Sequence, residues 1–276
     1  MSRSPRSVRD APLRAWFAGR GWQPAAFQRE AWARWLRGES GLIVTPTGSG
    51  KTLAAIGGPL IAGLAAPPPP RARRGEAKKP RLRVLWITPL RALATDTAAS
   101  LRQTLDELGL AWTVALRTGD AGSRDRRLAR QGLAEVLVIT PESLALQLTY
   151  ADSAAIFAGL EAVIVDEWHE LLGNKRGVLL QLGLARLRQW HPGLRIWGLS
   201  ATLGNLQQAL AVLLPHGPPS AIVRNAPPRP MTLETLLPDG ARRFPWAGNL
   251  GLGQLPQVAQ RIAAAGTSLL LSLIHI

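Results

Sequence analysis

The sequence predicts a doubly wound α/β fold on a mostly parallel sheet, and two observations carry the prediction. Short apolar runs recur at residues 41–44, 84–87, 136–139, 162–165 and 194–199, the last interrupted by Arg195, which is how strands covered on both faces read. Between them lie stretches with apolar residues at helical spacing, the alternation that builds a parallel sheet with helices on both sides. In such folds ligands bind outside the carboxyl ends of the strands. The polar residues just after each run are therefore where chemistry is expected.

Taken in order, residues 1–9 carry no periodic pattern and are expected to be disordered. Helical patterns cover 11–17 and 25–36, separated by a turn at Gly21-Trp22-Gln23-Pro24. The run 41–44 reads as a buried strand and 53–64 as a helix, with Thr45 to Thr52 between them. Next, Pro67 to Pro70 followed by Arg71, Arg73, Arg74, Lys78, Lys79, Arg81 and Arg83 form a basic, Pro-rich loop over 67–83. Its bland reading is a solvated insertion; the alternative is a nucleic-acid arm. After the strand 84–87, Leu90, Leu93, Ala94, Ala98, Leu101, Leu105 and Leu108 fall on one helix face. Strands follow at 113–116, 136–139, 162–165 and 194–199, with an amphipathic helix over 177–190. The first lobe is assigned to 10–222. Beyond Pro227-Pro228-Arg229-Pro230, residues 231–237 read as the first strand of a second lobe over 223–270, with a helix at 254–265 and a further strand from 267.

Composition narrows the class. A chain of 276 residues can bury a sizeable core, and no segment approaches the roughly 18 uninterrupted apolar residues of a membrane span. The N-terminus, Met1-Ser2-Arg3-Ser4-Pro5-Arg6, is basic without an apolar signal core, so export is not expected. Without cysteine there is no disulfide framework or thiolate metal site, which is compatible with a reducing cytoplasm. The net charge is +15, and lysine occurs only at 51, 78, 79 and 175, so the basic residues are almost all arginine. That is the footprint nucleic-acid binding leaves; a GC-rich genome would leave it as well.

Thr45-Pro46-Thr47-Gly48-Ser49-Gly50-Lys51-Thr52 is a phosphate-loop pattern in the required strand–loop–helix context. Its backbone N–H groups and the helix N-terminus can face a polyphosphate. Lys51 would add charge at the terminal phosphates, and Thr52 would sit on magnesium. The usual first glycine is Thr45 here. After the run 162–165 stands Asp166-Glu167-Trp168-His169: Asp166 would hold magnesium and Glu167 would orient and deprotonate water. Ser200-Ala201-Thr202, Thr88-Pro89-Leu90-Arg91 and Thr140-Pro141-Glu142-Ser143 each follow a strand. Each can be a helix start or a phosphate contact.

In this order, Phe27-Gln28, the phosphate loop, Thr88 to Arg91, Arg117-Thr118-Gly119-Asp120, Thr140-Pro141, Asp166 to His169 and Ser200 to Thr202 resemble the first motor lobe of superfamily 2 helicases. Within the large helicase-related group, Asp166 to Gly177 and Trp197 to Asn205 look like the ligase-associated DEXH-box DNA helicases of bacteria. The resemblance spans roughly 12–205.

It implies a RecA-like lobe, ATP and Mg2+ as cofactors, and DNA as partner with RNA left open. It assigns adenine reading to Gln28, with Trp22 or Phe17 stacking on the base. It assigns phosphate binding to Thr47, Gly48, Ser49, Gly50, Lys51 and Thr52, and catalysis to Glu167, Asp166, Lys51 and His169. Thr88, Pro89, Arg91, Thr118, Gly119, Thr140 and Pro141 would hold the nucleic-acid backbone. His169, Ser200 and Thr202 would couple hydrolysis to movement. The family name also points to DNA repair beside a ligase or nuclease. The second-lobe arginine motif, which completes the ATP site in such motors, is not present in the sequence. Leu271 to Ile276 resembles a translated sequencing adaptor, so the gene is expected to continue beyond it. Other readings stay open: an RNA helicase, a nucleotide- and nucleic-acid-binding module without motor activity, and, more remotely, a metabolic phosphate-loop protein.

Overall fold

Seven strands form one sheet in the computed structural model, which describes residues 10–66, 80–215, 220–225, 232–236 and 255–271. They are β1 (Ser40–Val44), β2 (Val84–Ile87), β3 (Val114–Arg117), β4 (Val136–Ile139), β5 (Ala162–Val165), β6 (Arg195–Ser200) and β7 (Ser220–Arg224). Every pairing is parallel, in the order β3-β4-β2-β5-β6-β1-β7. Parallel neighbours require crossovers, and the helices supply them. These are α1 (Ala11–Gly19), α2 (Ala26–Leu36), α3 (Lys51–Ala65), α4 (Arg91–Glu107), α5 (Ser123–Arg130), α6 (Pro141–Leu148), α7 (Ser153–Ile156), α8 (Trp168–Leu171), α9 (Lys175–Trp190) and α10 (Leu206–Leu213).

Alternate residues of each strand bury on opposite faces. Ile43, Trp86, Val138, Ile164 and Leu199 pack with α1 to α4 through Phe17, Trp32, Leu60 and Leu101. Leu42, Leu85, Leu137, Val163 and Ile196 pack on the other side with Leu144, Leu180, Leu184 and Leu210. A sheet covered on both faces leaves only its edges to bind anything. Its carboxyl edge carries the predicted motifs.

The structure shifts several boundaries. β3 and β6 each lie one residue later than expected, and α3 begins at Lys51 because the loop itself caps the helix at Gly50. The larger difference is β7, which the sequence reading missed. Only Ala221 and Val223 of its residues are buried, so it carries no continuous apolar run. It pairs with β1 from Ser40↔Ser220 to Val44↔Arg224. The first unit accordingly runs past 222, to Ala226.

In the second unit, Pro227–Ile276, the helix expected at 254–265 is α11 (Leu255–Ala264). The strands expected at 231–237 and from 267 are not formed by described residues 232–236 and 268–271. Leu233 and Leu269 there are both 82% exposed; an apolar run becomes a strand only when it finds a paired neighbour. Within this unit Arg261 meets Glu234 at 2.8 Å. Residues 1–9, 67–79 and 272–276 lie outside the described residues, and with them the expected disorder, most of the basic loop expected over 67–83 and all but Leu271 of the expected adaptor; described residues 80–83 are in neither helix nor strand. Among the described residues, no helix is long and apolar enough to cross a membrane.

Candidate active site

The phosphate loop leaves β1 with two left-handed glycines, Gly48 (φ 77°) and Gly50 (φ 91°). At Gly50 a side chain is excluded twice. The conformation disfavours a Cβ, and one would lie 2.6 Å from Gln28 Nε2. Thr45, where a glycine is usual, has a structural reason to be there. It is buried, its amide donates to Ser200 O at 3.1 Å, and its hydroxyl accepts from Ser49 Oγ at 2.7 Å. The side chain ties the loop's entry to its middle. Thr47 and Gly48 are exposed at the tip, and Thr52 is half-buried in the first turn of α3.

Lys51 is buried, and its Nζ lies 3.3 Å from Glu167 Oε1, across from β5. Strand order explains the encounter: β6 alone separates β1 from β5. Asp166 is fixed by its amide, which donates to Ile87 O at 2.7 Å. Its side chain accepts from the Glu167 amide at 3.0 Å and from Trp86 Nε1 at 3.4 Å. Trp86, a supporting residue not foreseen, is a fully buried member of a strand that reads as pure core. Burial, and then the charge of Glu167, push the Asp166 carboxyl above the usual aspartate range. Glu167 is the one non-glycine at positive φ among the described residues, at φ 44° and ψ 50°. Such a conformation costs roughly 1–3 kcal/mol, and here it turns a strand end into α8 with the carboxylate facing Lys51.

The second Glu167 oxygen stands 3.4 Å from His169 Nδ1 without an aligned hydrogen bond. His169 Nδ1 also lies 3.1 Å from Ser200 Oγ, which stands 3.0 Å from Thr202 O. A hydroxyl has one proton to give, so the His169 tautomer decides which of these two contacts Ser200 donates to. Lys51, Glu167, His169, Ser200 and the Thr202 backbone form one connected set; the Thr202 side chain itself is exposed.

Gln28 is buried at the start of α2. It accepts from the Ala25 amide at 2.8 Å and donates to Gly50 O at 3.1 Å, so it latches the helix start to the phosphate loop. Phe17 belongs to the core at 3% exposure and is not available to stack on a base. Trp22 is exposed, with the Arg20 guanidinium 4.8 Å from its ring centre.

The strand-holding candidates gather at the carboxyl ends of β2, β4 and β3, beside the phosphate loop's half of the edge. Their side chains divide differently from expectation. Thr88 is fully buried, its amide bonded to Ile139 O, and its hydroxyl meets no partner. Pro89 and Pro141 are buried too. Thr118 is buried, and Thr140 caps α6 by accepting from the Ser143 amide. These five shape turns and do not offer side chains outward, because both flanking helices close over the strand ends. Arg91 and Gly119 are exposed. The Arg91 guanidinium passes over Gly119, where a Cβ would lie 3.2 Å from it, and pairs with Asp120 at 3.2 Å.

The family model for DEAD/DEAH box helicases matches residues 25–209, more than half of the chain. The chain is 36% identical over 221 residues to the Lhr helicase/uracil glycosylase of Escherichia coli, covering 72% of this chain and 14% of that protein. It is 34% identical over 220 residues to the ATP-dependent helicase Lhr-Core of Methanocaldococcus jannaschii, covering 76% and 25%. The chain thus spans a quarter or less of the length of these relatives. Among solved structures, the Mycobacterium smegmatis helicase Lhr bound to ssDNA and AMP-PNP superposes with a TM-score of 0.70 at 32% identity, over 92% of this chain and 32% of that one. A phosphate loop facing an Asp-Glu strand end on a seven-stranded parallel sheet is what that match leads one to find, and this chain belongs to the DEAD/DEAH box helicase family.

Proposed function

We propose that the chain supplies the first motor lobe of an ATP-dependent DNA helicase or translocase. The observation that supports this most is the Lys51–Glu167 pair at 3.3 Å. It sets the phosphate-binding cation opposite the carboxylate that would handle water. On ATP binding, Lys51 exchanges Glu167 for the terminal phosphates. Glu167 is then free to orient the attacking water and take its proton, as ADP and inorganic phosphate form.

Thr52 and Asp166 fit a magnesium ion. Asp166 is a buried carboxylate whose ionisation is opposed by burial and by Glu167, and a cation relieves both. No cluster of three or more metal-ligating side chains occurs among the described residues. This suits Mg2+, which is usually held by one or two protein groups, phosphates and water. Magnesium would neutralise charge on the transferring phosphoryl group.

His169, Ser200 and Thr202 would carry the change at Glu167 to the neighbouring strand β6. Arg91 and the Gly119 turn would meet the nucleic-acid backbone, a contact that positions the protein without reading sequence. The Lhr structure holds ssDNA and AMP-PNP, which favours ATP and DNA here. DNA repair, cytoplasmic residence and a ligase or nuclease partner belong to the same proposal and rest on family resemblance.

The test is binding of a fluorescent ATP analogue with magnesium, and of one single-stranded sequence made as DNA and as RNA, at fixed salt. We expect Lys51→Ala to weaken nucleotide binding at least about tenfold, corresponding to roughly 1.4 kcal/mol, and DNA to bind at least as tightly as RNA. Tenfold preference for RNA would overturn the choice of DNA. Nucleotide binding indifferent to Lys51→Ala would overturn the site.

A further inference from the structure

Among the described residues, more than half of the basic side chains meet a carboxylate. Arg34 meets Glu30 and Glu39, Arg83 meets Glu161, Arg102 meets Asp125, and Arg130 meets Asp152. Among the described residues, the cations with no carboxylate, carbonyl, hydroxyl or ring partner are Arg29, Arg124, Arg126, Arg127, Lys175 and Arg224. Three of these sit within four consecutive residues of α5, and all three are exposed.

α5 is held firmly by its other residues. Ala129 is buried, Arg102 grips Asp125 at 3.0 Å, and Asp152 takes Arg130 at 2.7 Å while Tyr150 stacks under it. Gln147 donates to Ala129 O at 3.2 Å. Its acid is therefore spent inward, and three positive charges are left facing out. Arg124 with Arg127 (i,i+3) and Arg126 with Arg130 (i,i+4) are like-charged neighbours, an arrangement that costs a helix about 0.2–0.5 kcal/mol per pair. Arg124 also lines a cleft of about 550 Å³ with Arg102, Asp106 and Asp125, which leaves Arg126 and Arg127 as the least compensated pair.

Position gives this charge a use. β3 is the edge strand on the side of the sheet that carries Arg91 and Gly119, and α5 begins three residues after Asp120. A strand crossing the carboxyl ends of β2, β4 and β3 would leave the lobe past β3, where α5 stands. Arginine's planar fork suits phosphate oxygens. We infer that the exposed surface of α5 around Arg126 and Arg127, with Arg124 on its flank, is a second phosphate-binding surface that takes the nucleic-acid backbone after it has passed the Arg91–Gly119 turn. The inference rests on the helicase reading above and adds a contact beyond the strand-end motifs.

The test compares Arg124→Gln/Arg126→Gln/Arg127→Gln with a charge-matched control, Arg29→Gln/Lys175→Gln/Arg224→Gln, and with the triple lysine substitution at 124, 126 and 127. Binding is measured over a salt series for single strands of about 8 and about 30 nucleotides, lengths that bracket a typical single-strand site. The glutamine variant on α5 should bind the long strand roughly tenfold more weakly, with a log–log salt slope shallower by up to about 2, three contacts at about 0.7 each. Its affinity for the short strand should not change. The control and the lysine variant should stay within about twofold of wild type. Thermal melts establish that every variant is folded, and the substituted side chains lie outside the core. Unchanged long-strand affinity and slope overturn the inference, and so does an equal loss in the control. Wild type that binds neither strand overturns the helicase reading along with it. Wild type that binds the long strand no better than the α5 glutamine variant overturns α5 alone.

Discussion

Asp166 is a residue whose surroundings oppose its charge. Burial and the adjacent Glu167 raise its carboxyl above the ordinary range, so the folded protein holds that proton more tightly than the unfolded chain does. Stability must then fall as pH rises through the carboxylate range, with the full penalty present above the raised value. Asp166→Asn removes the penalty. In the absence of nucleotide and magnesium the variant should melt above wild type at pH 7, and the gap should close once pH drops below the ordinary aspartate value of about 3.9. The same variant should lose magnesium-dependent ATP hydrolysis. A lower melting temperature at pH 7 would mean that the carboxylate and its two hydrogen bonds stabilise the fold. The amide keeps one acceptor oxygen for either Trp86 Nε1 or the Glu167 amide, so the gain in melting temperature is what remains after one hydrogen bond is lost.

At the scale of elements, α2 and α3 approach so closely that their contact depends on missing side chains. A Cβ on Gly57 would fall 2.1 Å from Trp32 Nε1, and one on Gly58 would fall 2.5 Å from Trp35 Cγ. Both rings are tethered where they stand. Trp32 donates to Leu53 O at 2.9 Å, and Trp35 carries the Arg195 guanidinium 4.0 Å from its ring centre. Overpacking of this kind costs about 1–3 kcal/mol, while alanine in place of glycine within a helix returns about 1. Gly58→Ala should therefore lower the urea midpoint, and a midpoint equal to or above wild type would show that Trp35 can move. The consequence reaches the site, because α2 also carries Gln28, which latches onto Gly50. Helix α3 and its glycines were legible as a pattern; that two tryptophans from another helix need those glycines was not, since the partners lie more than twenty positions away.

For the whole molecule, the informative element is β7. It closes the sheet beside β1, burying Ala221 and Val223, and its approach is so close that a Cβ on Gly41 would meet Ala221 O at 2.2 Å. Without it, β1 becomes an unpaired edge directly beneath the phosphate loop, and an exposed edge strand invites aggregation. A chain ended at Ala226 should unfold at higher denaturant than one ended at Pro219. The difference should be at least about 2 kcal/mol, the scale of uncovering one large apolar side chain. Equal stability would show that β7 is dispensable and that the first unit ends before it.

The sequence by itself determined the parallel α/β fold, the phosphate loop and the Asp-Glu pair. Each of these is written in a few neighbouring residues: apolar runs long enough to be covered on two faces, a glycine pattern before Lys51, two acids after a buried strand. Tertiary structure alone decided that Lys51 meets Glu167 across 116 positions, that Thr45 bonds Ser200, and that Thr88 and Phe17 face inward. It also decided that residues 220–224 are a strand while 232–236 are not. The physical reason is common to all of these. Strand order and pairing are set by which distant surfaces bury together, and no local window of sequence contains its own partner.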